Sequence, residues 1–241
     1  VTKVRKFLLI GALVLLPALP AAALDDIFSR ALACDPILTV HKMDCSVEII
    51  FRCPADGEPY IRHEAYEDAQ LDTITHTRGN GDLVQLSDAD GQFHVEFVSG
   101  DSSPSPDEIM RAGSARFEQE FMLTIMGITR SAHALFLVRP EGSPFQLGRN
   151  TLLRIRGDVE LVLQSPMPTL SGTTAYYVDL VEGIEFEGES HIDVLDDSNP
   201  DAPAIPVRLI RKGEPGFASP EPGPDCQTIS AVSAATRQET A

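Results

Sequence analysis

The chain has 241 residues, 43% hydrophobic and 6% aromatic, with 36 acidic against 19 basic side chains and a net charge of −17. That composition belongs to a folded chain of one domain or two small ones, whose core needs no metal or cofactor to be stable. The surplus of acid argues against binding through phosphate neutralisation, so nucleic acid is not expected as a partner; a cationic protein or an apolar ligand is.

Lys3, Arg5 and Lys6 precede an apolar run from Phe7 to Leu19, and Pro20 leads into Ala21-Ala22-Ala23. The run is shorter than the roughly 20 apolar residues that span a bilayer, and it ends in small residues, which is the layout of a cleaved signal peptide over residues 1–23. The expected location is therefore periplasmic or extracellular. Residues 24–33 have the spacing of a short amphipathic helix.

An oxidising compartment makes two disulfides the default for Cys34, Cys45, Cys53 and Cys226, whose spacing does not match paired zinc ligands. The β-branched run between Cys45 and Cys53, if extended, holds them roughly 25 Å apart, whereas a bridge needs Cα atoms within about 7 Å. The favoured pairing is Cys34–Cys45 with Cys53–Cys226, Pro36 turning the first loop. Cys34–Cys53 with Cys45–Cys226 stays open.

From Thr73 onward, short alternating runs are divided by turn residues. Thr73–Thr77 and Leu83–Leu86 flank Gly79-Asn80-Gly81, a strong hairpin signal, and the chain turns again at Asp88-Ala89-Asp90-Gly91 into Gln92–Val98. That second turn carries part of a calcium-loop pattern but lacks the later ligands, so it reads as a turn. Ser105-Pro106-Asp107-Glu108 is a capping box with Pro at the first helical position and predicts a short helix ending near Gly113. Strands are then expected over residues 117–125 and 134–140, over 152–156 and 159–163 with Gly157-Asp158 as their turn, and over 174–180, 184–192 and 207–211. About ten strands with close turns and one or two short helices imply a mainly β protein, an antiparallel meander forming a barrel, half-barrel or sandwich. The domain is expected over residues 24–212. A Pro/Gly-rich tail over 213–241, pinned by Cys226, then ends in a polar, disordered stretch containing residues 230–241.

Catalytic patterns are sparse. Gly100-Asp101-Ser102 resembles, over three residues, the nucleophile block of GDS-type serine esterases, which implies a Ser102 activated by a histidine. Those enzymes are α/β proteins with an Asp-x-x-His block, and this chain contains no Asp-x-x-His. His94 with Glu96, and His191 with Asp193, share strand faces without a third convergent group, and Asp193, Asp196, Asp197 and Asp201 form an acidic loop. No metal, cofactor or catalytic residue is assigned.

Tyr176–Leu180, Glu182-Gly183-Ile184 and Glu185–Glu189 form a strand–turn–strand pattern similar to closing hairpins of periplasmic carriers built as half-barrels. The resemblance implies an apolar concavity for lipid or lipoprotein acyl chains, lined here by Phe93, Phe97, Phe117, Phe121, Leu135, Leu137 and Leu161. The same residues also suit the filling of a closed core. The expected function is that of an exported, disulfide-stabilised binding or interaction module, with the carrier as the alternative and the esterase third.

Overall fold

The computed structural model describes residues 34–54, 59–163, 169–192 and 204–223. The signal peptide expected over residues 1–23, residues 24–33, Cys226, the acidic loop and the end of the tail lie outside them.

The chain begins with an antiparallel hairpin, β1 (Asp35–Lys42) and β2 (Val47–Cys53), and continues through β3 (Tyr60–Glu67), β4 (Gln70–Arg78), β5 (Leu83–Asp88) and β6 (Phe93–Gly100). Helix α1 (Pro106–Ala112) follows, with the Ser105 hydroxyl accepting from the amide of Glu108 and the Glu108 carboxylate accepting from that of Ser105, as the capping box requires. Then come β7 (Ala115–Ile125), β8 (Ile128–Pro140), β9 (Phe145–Leu147), β10 (Asn150–Leu163), β11 (Leu170–Asp179), β12 (Ile184–Ile192) and β13 (Pro206–Ile210). They make one antiparallel sheet in the order β12-β11-β10-β8-β7-β6-β5-β4-β3-β2-β1-β13, with β9 on β10. The sheet rolls into a nearly closed barrel with one unsealed seam, because its outer strands β12 and β13 are not hydrogen-bonded to each other.

Alternation explains how the two ends of the sheet overlap. Leu152, Tyr177 and Phe186 lie on one face of β10–β12 and pack against Leu38, Val40 and Ile50 of β1 and β2. On the opposite face, Leu153, Ile155 and Val178 join Phe117 and Val138 beneath Ile109 of α1. These contacts fall at the start of β7 and the end of β8, so the helix covers one end of the barrel interior.

Two expectations are corrected here. Gly157-Asp158 is no hairpin: β10 runs unbroken for 14 residues. Gly157 is paired with both Val138 and Thr174, and a Cβ there would come within 3.1 Å of the Thr174 methyl, so the glycine serves close strand approach. The favoured disulfide pairing is likewise overturned, since the bridge is Cys34–Cys53, with Cα atoms 4.2 Å apart. Residues 35–42 are a strand and not a Pro-turned loop. Asp35 pairs with Arg52, which sets Cys34 opposite Cys53, while Cys45 sits in the far turn. The extended-chain argument against Cys45–Cys53 applies equally to Cys34–Cys45. Cys45 is also disulfide-bonded.

Candidate functional site

The barrel interior divides into an apolar region and a charged one. At the end away from α1, Phe121, Leu123 and Ile125 of β7, Ala132, Ala134 and Phe136 of β8, Val159 and Leu161 of β10 and Leu170 of β11 surround a cavity of about 200 Å³, with Leu83, Phe93 and Val95 closing the wall from β5 and β6. Strand alternation puts these side chains on one face. Ala132 and Ala134 create the space, being small residues placed where Phe136 on the same face reaches inward.

Of the seven lining residues expected from sequence, Phe93, Phe121 and Leu161 stand on this wall. Phe97 packs edge-on to Phe121 at 6.1 Å just behind it, and Phe117 lies deeper, stacked on Phe136 at 4.7 Å. Leu135 and Leu137 are half-buried on the other face of β8, opposite Glu118 and Arg116 of β7. The sequence reading overlooked Ala132, Ala134 and Phe136. Their alternating small–large pattern was the available signal.

The charged region lies where the edge of β12 approaches β2–β4. Buried Glu48 receives the Lys42 ammonium at 2.9 Å and the His63 Nδ1 at 2.8 Å, and accepts from the backbone amide of Glu187 at 3.1 Å. His63 Nε2 lies 3.4 Å from the Thr77 hydroxyl, and Thr75 donates to the Glu187 carboxylate at 3.2 Å. The Glu48 side chain thus binds the backbone of an edge strand where no strand pairs with it. Burial disfavours the charge on Lys42, but the carboxylates of Glu48, Glu187 and Asp44 outweigh it and hold the ammonium above its usual value. Burial also works against the Glu48 carboxylate, yet Lys42 and His63 prevail and keep it below the usual range.

Beside this network, His63, Thr77, Arg78, Gly81, Ile184 and Glu185 border a cleft of about 180 Å³. Burial pushes the Glu185 carboxyl up to about 7, with His63 opposing and Asp82 adding to the rise. The φ of +87° at Gly81 favours glycine in this turn, and a Cβ there would come within 2.6 Å of the flexible end of that carboxylate. On the other face of the same strands, Arg62 binds Glu64 at 2.7 Å, and the Tyr66 hydroxyl donates to Glu64 at 2.5 Å.

Ser102 is exposed, with no histidine among its described hydrogen-bond partners; Asp101 is tied to β7, its amide donating to the Glu118 carbonyl at 2.8 Å and its carboxylate accepting from the Glu118 amide at 3.2 Å. The Asp88–Gly91 segment is a turn, with Asp88 accepting from the amide of Phe93 at 3.0 Å. Among the described residues, no cluster of three or more His, Cys, Asp or Glu has the arrangement of a metal site, and no helix is long and apolar enough to cross a membrane. Compared with family models, curated proteins and solved structures, the chain matches none, so the functional reading rests on its own geometry.

Proposed function

We propose that this chain is an exported, disulfide-stapled β-barrel that binds a small apolar ligand, or the apolar end of a larger one such as an acyl chain, without chemical conversion. The observation that carries the reading is the cavity of about 200 Å³ walled by hydrophobic side chains. Water gains little there, because a buried water needs two to four polar partners, and dry cavities of about 150 Å³ with similar linings admit benzene-sized molecules. The ladders of β7, β8 and β10 hold the wall in place, so the space persists instead of collapsing. The disulfide and the signal-like N-terminus support export.

The test is uptake of the neutral fluorophore N-phenyl-1-naphthylamine by the full chain, followed by displacement with a medium-chain fatty acid. Enhanced emission that saturates at micromolar probe and is reversed by the fatty acid is expected. Emission equal to that of buffer at every probe concentration overturns the reading. A lipid-sized adduct in the native mass spectrum of protein secreted into the periplasm gives the same result without an added probe.

A further inference from the structure

The turn between β7 and β8 presents three large apolar side chains to solvent: Ile125 is 42% exposed, Met126 78% and Ile128 59%. Positive φ angles of 49° at Met126 and 78° at Gly127 make the turn tight, so the side chains are held by a short turn instead of a mobile loop. Isolated exposed apolar residues are ordinary, whereas three on one turn form a patch, and Ile125 also lines the cavity.

The setting of the patch indicates what covers it. The amide of Met126 donates to the Gln92 carbonyl at 2.7 Å, which fixes the tip against the turn carrying Asp88 and Asp90. Those two acids and Asp72, with Glu67 and Asp68, wall an open groove of about 450 Å³. Burial, and then the charge of Asp88, hold the Asp72 carboxyl above its usual value, a strain that a nearby cation relieves. Arg130, on β8 close to the β7–β8 turn, turns its guanidinium back to the Thr129 carbonyl at 3.2 Å.

We propose that this face docks a basic amphipathic segment of a partner protein, its apolar residues on Ile125, Met126 and Ile128 and its Lys or Arg side chains over Asp88 and Asp90. Charge complementarity selects that occupant. A second copy of the chain would set acid against acid, and an anionic membrane would repel a net charge of −17. The combination of an apolar anchor and flanking acids is the complement of a basic amphipathic helix.

The chain contains no Trp, so a Met126→Trp variant carries a single indole at the tip and keeps its apolar character. Titration with a synthetic amphipathic Leu/Lys helix is expected to shift the emission to the blue and saturate at micromolar peptide. Adding Ile128→Asp to this variant, or separately raising the salt to molar levels, is expected to weaken binding at least about tenfold, since one removes the anchor and the other screens the acids. An unchanged melting temperature for the Ile128→Asp variant separates lost docking from lost folding. No shift with the peptide, an equal shift with a Leu/Glu helix, or a shift produced by phosphatidylcholine vesicles in place of the peptide would overturn the proposal. A protein that takes up N-phenyl-1-naphthylamine but ignores the peptide keeps the ligand reading and loses this one.

Discussion

The two halves of the barrel solve the problem of filling an interior in opposite ways. Around β2–β4 and β12 the space is occupied by charge: Glu48 alone is bound by Lys42, His63 and the amide of Glu187. Around β7, β8 and β10 it is lined by hydrocarbon and left partly empty. The first arrangement is strict, because each buried charge depends on its neighbours and the removal of one leaves the others unpaired. The second is permissive, because an apolar wall loses only dispersion contacts across a gap. The contacts across the unsealed seam lie in the strict half, and the proposed ligand space lies in the permissive one.

The largest effect is expected where strictness is greatest. Glu48→Ala strands Lys42, His63 and the Glu187 amide together, and loss of one partner of a buried pair costs about 3–5 kcal/mol. Urea unfolding should show that loss. A change below about 1 kcal/mol would mean that water replaces the carboxylate and that the charged half is as permissive as the apolar one. The staple at the end of the same hairpin comes next. Replacing Cys34 and Cys53 by Ala opens a loop with a sequence separation of 19 residues, which is expected to cost about 3 kcal/mol in the chain-entropy model. The double variant should unfold at correspondingly lower urea under oxidising conditions and match the native chain once both are reduced.

The same contrast explains what could be read from the sequence. Hairpins at Asn80-Gly81 and Asp90-Gly91, and the helix announced by Ser105 and Glu108, are local devices and were legible as such. β1 was not, because Asp35-Pro36 has turn chemistry; in the sheet, the register shift between Pro36 and Leu38 accommodates the proline. Gly157 misled for a related reason, since a glycine that permits a turn and one that permits close packing are the same residue. The apolar half was partly legible, as Phe93, Phe121 and Leu161 follow from alternation. Leu135 and Leu137 were ambiguous because β8 is apolar on both faces, and parity there is fixed by the neighbouring strands. The charged half was invisible: Lys42, Glu48 and His63 each resemble solvent-side positions until the rolled sheet buries them together.

A smaller effect tests the seam through pH. Glu185 has a folded-state pKa of about 7 against 4.5 when unfolded. Between those values the native state holds a proton that the unfolded chain has released, so its contribution to stability falls as pH rises through the window and is constant above it. Glu185→Gln should abolish that slope and raise stability at pH 8 by about 1–3 kcal/mol, a range reduced for the carboxyl's partial exposure. Glu48 has the opposite sign: its lowered pKa adds stability above the ordinary carboxylate range that is lost as pH falls through the folded value. Melting temperatures from pH 4 to 8 for the native chain and Glu185→Gln separate the two, and parallel curves would show that Glu185 ionises freely in the cleft.

The smallest effect on stability is expected at Ala134, where the apolar half can be filled without loss. Inserting methylenes into a packed core costs about 1–3 kcal/mol, but Ala134 faces existing space, so Ala134→Leu should change unfolding free energy by less than about 1 kcal/mol in either direction. Its effect on binding should be much larger. The leucine occupies the volume a guest would take, and N-phenyl-1-naphthylamine affinity is expected to fall at least about tenfold while the fold stays intact. A variant that is destabilised as much as Glu48→Ala would show that this wall is as tightly specified as the charged network. One that keeps native probe affinity would place the guest elsewhere, and the permissive half would then be an under-filled core instead of a site.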